Sequence, residues 1–222
     1  MAKQTYTEAQ LALTVENYSN LIDYALCQGL GSASEWYQNE HDIIARNAKQ
    51  HGISINVYAA MTAALSPLMK WSENIKSVES IIEGVPFENI SGFNRNKVKA
   101  QQILDTGDTS ILVGPKVRQF YQALLLNPTS TTIDIWMLRA TPWGSSVATR
   151  DSKYPVIAKR CAAAALNELA TWPGDDMTES QIQAVVWVAI RDCWDYVKDY
   201  ARGDGHFRIV SALRNSAQAC KF

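Results

Sequence analysis

Apolar residues recur at three- and four-residue intervals along most of this chain, the spacing that lines one face of an α-helix. Between Thr5 and Leu30 they fall at Leu11, Val15, Ile22, Ala25 and Leu26, and Gly29-Leu30-Gly31 ends the run. Ser34 opens a second stretch that continues through Ala48 towards Gly52, and Ser54 opens a third, INVYAAMTAALSP, stopped by Pro67. A fourth, LMKWSENIKSVESIIEG, runs to Gly84. Residues 85–93 have loop character, and Asn94 or Asn96 is suited to cap a helix through Leu104. After the turn DTGDTSILVGP, helical spacing resumes from Lys116 to Leu126 and stops at Asn127-Pro128. TTIDIWMLRA is short and rich in β-branched and aromatic residues, which suits a strand or the entry to a helix. A polar loop over 141–152 precedes a helix from Pro155 to Ala170, broken at Trp172-Pro173-Gly174. Thr178 then opens TESQIQAVVWVAIRDCWDYVKDYA, and Gly203 and Gly205 separate it from a last, weaker helix. Nothing alternates with hairpin turns. The pattern predicts an all-α fold, one compact helical unit over 1–222 with room for a two-lobed split near 127–154.

Composition narrows the class. Hydrophobic residues make up 47% and charged residues 19%, enough for a sizeable core and too little charge for a disordered chain. No 18-residue apolar run exists to span a bilayer, and MAKQTYTEAQ lacks the apolar run of a signal peptide. A cytoplasmic protein with no membrane partner is expected. Cysteines at 27, 161, 193 and 220 form no close pair, which excludes CxxC-type zinc or iron–sulfur spacing. His41, His51 and His206 are scattered. Neither a metal site nor another cofactor is expected.

A formal charge of −1 excludes a uniformly basic nucleic-acid binder. The charge is nevertheless polarised. Residues 95–160 carry ten basic against four acidic residues, near +6, with about −7 elsewhere. That is the arrangement expected where one face meets phosphate, although an unpartnered solvated surface has the same composition. The same stretch holds the turn Val113-Gly114-Pro115-Lys116 between two helical segments. Backbone N–H groups at the start of the second segment can hold a phosphate, and Lys116 sits there. Asp134 follows 18 residues later among apolar neighbours, either as a cap for 135–140 or as a carboxylate held for chemistry. Trp136 and Trp143 flank it and can stack on a base, whereas most tryptophans of a helical protein lie in its core. Trp187 and Arg191, four apart, suit a cation–π or packing pair facing a pocket. Asp175-Asp176 needs no role beyond favouring a helix start.

This order of residues resembles the helix-hairpin-helix (HhH-GPD) DNA glycosylase superfamily, which includes endonuclease III and the adenine glycosylases. Ile133-Asp134-Ile135-Trp136-Met137-Leu138-Arg139 takes the place of the family's apolar-Asp-x-His-apolar-x-Arg segment, and Val113-Gly114-Pro115-Lys116 that of its Gly-x-Gly-x-Lys hairpin. Upstream, Ala64-Leu65-Ser66-Pro67 with Asn74 and Val78, and Lys99 with Ile103-Leu104, are similar to the helices before the hairpin. The resemblance covers residues 55–140, the glycosylase-like core, with a second lobe from 1–54 and 153–222. It departs from the family at Leu112, which replaces the first hairpin glycine, at Pro115, which removes an N–H, and at Trp136, which replaces the histidine. The iron–sulfur cysteines are absent.

The resemblance implies a two-lobed helical DNA glycosylase-like protein. It recognises, and in the catalytic reading excises, a damaged or modified base flipped into a pocket between lobes. Asp134 would then stabilise charge at the sugar or activate the nucleophile, and Lys116 would serve as the amine of an AP lyase. Leu112, Val113, Gly114, Lys116 and Arg118 would bind a DNA phosphate, with Trp136, Trp143 and Trp187 about the base and DNA meeting residues 95–160. Two other readings stay open. One is a catalytically silent nucleic-acid or protein-binding module of the same fold, and the other an enzyme acting on modified bases or nucleotides.

Overall fold

A computed structural model describes residues 5–148, 154–171, 176–201 and 206–215, and every regular element among them is helical. The order is α1 (Glu8–Cys27), α2 (Trp36–Gln50), α3 (Ile55–Leu65), α4 (Trp71–Ile82), α5 (Asn94–Thr106), α6 (Pro115–Leu124), α7 (Ile135–Arg139), α8 (Tyr154–Leu169), α9 (Glu179–Val197) and α10 (Ile209–Asn215). The fold is all-α. Several starts follow from local chemistry in the sequence. Thr7 with Gln10, and Thr178 with Gln181, form reciprocal capping boxes on α1 and α9. Ser54 Oγ accepts from the Val57 amide at 3.2 Å and opens α3.

The chain divides into two compact units, Met1–Trp36 with Ile133–Phe222, and Tyr37–Thr132. The second is built around α3. Tyr58 through Leu65 are all buried, so this helix has no solvent face beyond its first turn. Its alanines at 59, 60, 63 and 64 let α4, α5 and α6 approach closely. Within this unit, Asn47 on α2 donates to Tyr58 Oη at 3.1 Å and to Glu79 at 3.0 Å. His41 meets the Leu124 carbonyl at 2.9 Å.

In the first unit α1, α8 and α9 pack together, with α7 and α10 against them. Asn17, fully buried, donates to the Ala140 and Phe207 carbonyls at 3.0 and 2.9 Å and accepts from the Ile209 amide at 2.9 Å. Tyr18 Oη donates to the Met137 carbonyl at 3.1 Å. A five-residue helix makes too few internal hydrogen bonds to persist alone, so α7 depends on these bonds from α1 and on its packing against α8 and α9.

Several elements differ from the expectation. The units part at 36/37 and 132/133, not at the edges of a 55–140 core, because α2 bonds to α3 and α4 while α7 bonds to α1. TTIDIWMLRA is neither strand nor open choice: Asp134 caps it as helix α7. Neither Asn94 nor Asn96 caps α5. Phe93 holds that position without a side-chain bond, and Asn96 is buried. Ser34 lies in a 3-10 turn, Gly31–Glu35, ahead of α2. The expected polar loop contains buried Thr141 and Trp143 and a 3-10 turn over Gly144–Ala148. Arg150, Lys153, Trp172-Pro173-Gly174, Asp175, Gly203, Gly205 and Cys220 lie outside the described residues.

Glu40 on α2 sets a pH dependence for the second unit. Burial pushes its carboxyl above the ordinary 4.5, a bond from Trp71 opposes this, and Oε2 is buried without a hydrogen-bond partner. A raised native pKa means that its contribution to stability is full below the unfolded value and is lost as pH rises through the folded one. Glu40→Gln is therefore expected to raise the melting temperature at about pH 7 and to change it little at about pH 4, as thermal melts at both would measure.

Candidate functional site

In the second unit α5 ends at Gly107, a 3-10 turn follows over Thr109–Ile111, and Gly114 caps α6 with Pro115 at its first position. Gly114 has φ 96°, and a Cβ there would meet nothing within 4 Å. Glycine is needed at this point for the backbone turn, not for space. Pro115 removes an amide that a helix start leaves unbonded in any case. Val113, Gly114, Pro115 and Lys116 are exposed. The first-turn amides of Lys116 and Val117 have no intrahelical acceptor, while Arg118 N bonds to the Gly114 carbonyl at 3.2 Å. Arg118 Nε donates to the Leu112 carbonyl at 2.7 Å and closes the turn. Leu112 itself is 2% exposed. Its side chain is core, and its amide already donates to the Thr109 carbonyl at 3.2 Å.

A cleft of about 350 Å³ lies at the other end of α5, lined by Leu68, Met69, Lys70, Glu73, Gly92 and Phe93 among others. Lys70 and Phe93, the N-cap residues of α4 and α5, line it, and neither makes a side-chain capping bond. Leu68 is 94% exposed at φ 61°, and Phe93 is 45% exposed with the Arg95 guanidinium 5.6 Å from its ring centre. Two exposed apolar side chains thus border one cleft, and sequence reasoning missed both.

Asp134 belongs to the first unit. Its Oδ1 accepts from the Trp136 and Met137 amides at 2.8 and 3.2 Å, and its Oδ2 accepts from Trp187 Nε1 at 3.0 Å. It is half-buried, so the helix cap and the held carboxylate are the same group. Around it runs a stack of indoles and guanidiniums. Arg139 lies 4.3 Å from the Trp136 ring centre and 4.8 Å from that of Trp194. Arg191 lies 4.3 Å from the Trp187 centre and 5.8 Å from the Trp136 centre. Trp136 meets Trp194 edge-on at 5.9 Å, and Trp36 approaches Trp187 at 6.0 Å. Burial lowers the pKa of Arg139 below the usual guanidinium value, opposed by the charge of Asp134.

Trp136 and Trp187 are thus half-buried beside Asp134, and the expected Trp187–Arg191 pair is present. Trp143 is different. It is 1% exposed and packs with Leu138, Val147, Ala158 and Cys161, so it has no face left for a base. Lys116 and Asp134 fall in different units. The basic residues of 95–160 divide likewise, Arg95 to Arg118 in one unit and Arg139 to Arg160 in the other. Lys97 is lost to any charged face: it is 3% exposed and donates to the Phe87 and Ile90 carbonyls at 2.5 and 3.0 Å.

Among the described residues no group of three or more His, Cys, Asp or Glu could hold a metal ion, and no helix is long and apolar enough to cross a membrane. The thiols of Cys161 and Cys193 are buried, which pushes them up to about 11 and about 12. Against known proteins, residues 2–193 match the model of a family of unknown function (DUF7178). No curated protein and no solved structure matches the chain.

Proposed function

The chain belongs to this family, DUF7178, and we propose that it is a DNA-binding protein of the helix-hairpin-helix glycosylase kind that hydrolyses the N-glycosidic bond of a damaged or modified base. The observation that carries the reading is the α5–α6 hairpin: an exposed, glycine-turned helix start with free amides and a lysine in its first turn. The exposed Leu68 and Phe93, beside two helix starts without side-chain caps, supply the apolar wedge that opens a base step. Asp134 supplies the carboxylate. It stabilises the positive charge that develops at C1′ as the C–N bond breaks. The base leaves with the bonding electron pair, water adds at C1′, and the proton of that water goes to the departing base.

Lys116 tests the reading. It is exposed, so Lys116→Gln leaves the fold intact. In fluorescence anisotropy with a labelled duplex at low salt, the variant is expected to bind about three- to tenfold more weakly and to reduce the salt slope by about 1. Unchanged affinity and slope would refute the hairpin contact. An exposed amine also lacks the desolvation that makes lysine nucleophilic. Borohydride on an abasic-site duplex is therefore expected to trap no adduct, and an adduct lost in Lys116→Gln would assign lyase chemistry instead. One observation favours a silent binding module: both Asp134 oxygens are already bonded within the protein. Tight DNA binding without release of any base would establish that module.

A further inference from the structure

The Trp–Arg stack of the first unit has a composition that packing alone does not require. We infer that Arg139 and Arg191, held on the indoles of Trp136, Trp187 and Trp194, form an anion site that takes a DNA backbone phosphate beside Asp134. The naming of DNA rests on the function proposed above; the anion site rests on the geometry. Among the described residues no hydrogen bond or ion pair engages Arg191, and its guanidinium is stacked on Trp187 at 4.3 Å. The acids beside it on α9 are already occupied: Asp192 accepts from Tyr24 Oη at 2.7 Å and Asp195 from Lys198 Nζ at 2.7 Å. Arg139 lies against two rings, and its Nε is buried without an acceptor.

Stacking fits guanidiniums for this work. It covers their faces and leaves their N–H edges for a bidentate bond to a phosphate. It also restricts the side chains before the ligand arrives, so less freedom is lost on binding. Both cations share the Trp136 ring, and two guanidiniums against the single carboxylate of Asp134 leave the cluster net positive. Trp187 joins the two functions, its N–H on Asp134 and its ring under Arg191. Carboxylate and guanidinium thus stand on one indole, much as the sugar and phosphate belong to one nucleotide.

The test uses the full chain, with Arg191→Gln and Arg191→Lys as variants, because Arg191 is exposed and its loss spares the core. Melting curves check the fold. Anisotropy with a labelled single strand and duplex at several salt concentrations is expected to show Arg191→Gln weaker by about tenfold, with the salt slope lower by about 1. Arg191→Lys should recover the slope but only part of the affinity. A wild type that binds DNA while Arg191→Gln matches it in affinity and slope overturns the inference, and the proposed function then still stands on Lys116. A wild type that binds no DNA refutes the proposed function, and inorganic phosphate decides the site. A shift of the Trp187 indole N–H signal that is lost in Arg191→Gln keeps the anion site, and an unmoved signal overturns it.

Discussion

Replacing Asp134 with asparagine is expected to leave the fold standing and to lower base release by about 10²- to 10³-fold, the scale of losing a charge-stabilising group at a reacting centre. The separation follows from how the two oxygens are used. Oδ1 caps α7 through the Trp136 and Met137 amides, and an asparagine carbonyl does the same work. Oδ2 meets Trp187 Nε1, where an amide nitrogen cannot accept. Asparagine therefore keeps the cap while losing the charge and the indole bond. Alanine loses all three, at about 1 kcal/mol or more for the cap alone. Thermal melts and single-turnover assays on a duplex from which the wild type releases a base would separate the two substitutions. An asparagine variant as active as the wild type would reduce Asp134 to a helix cap.

The largest structural effect is expected at Gly144. Its φ is 50°, and a Cβ there would come within 2.8 Å of the Ala201 carbonyl carbon and press into its oxygen. That oxygen also accepts from the Ser145 amide at 2.6 Å. The obstacle is backbone in a buried segment, so no rotamer change makes room. Gly144→Val should destabilise the first unit by more than about 4 kcal/mol. Gly114→Ala, also at positive φ but in open space, should lose only about 1–2 kcal/mol. Six of the seven tryptophans belong to the first unit, so indole fluorescence in urea melts reports on it directly. Similar losses at the two glycines would contradict the close approach of residues 144 and 201.

The helical periodicity was legible because apolar positions and Ser/Thr caps agree: Ser54 and Thr178 open the helices expected of them. Short α7 was ambiguous because part of its support comes from Asn17 and Tyr18, more than a hundred residues away in the chain, and from packing against α8 and α9. The aromatic site was half legible. Trp187, Arg191 and Trp194 occupy positions i, i+4 and i+7 of one helix, a stripe that can be read directly. Trp136 and Arg139 share a face only once residues 135–139 are known to be helical. Burial was not legible from composition. Lys97 counted as surface charge and is a buried staple, and Trp143 looked like a stacking ring and is core. Nor did spacing reveal the left-handed backbone that exposes Leu68.

We propose that this chain recognises a base in DNA and releases it. The most direct test incubates the wild type with a panel of duplex and single-stranded DNAs, each bearing one damaged or modified base, and measures the free base and the matching abasic site. Stoichiometric release of base and abasic site is expected from at least one member, abolished by Asp134→Asn. No release from any member would contradict it: retained DNA binding at low salt would then leave a silent binding module, and no binding would refute DNA as the partner.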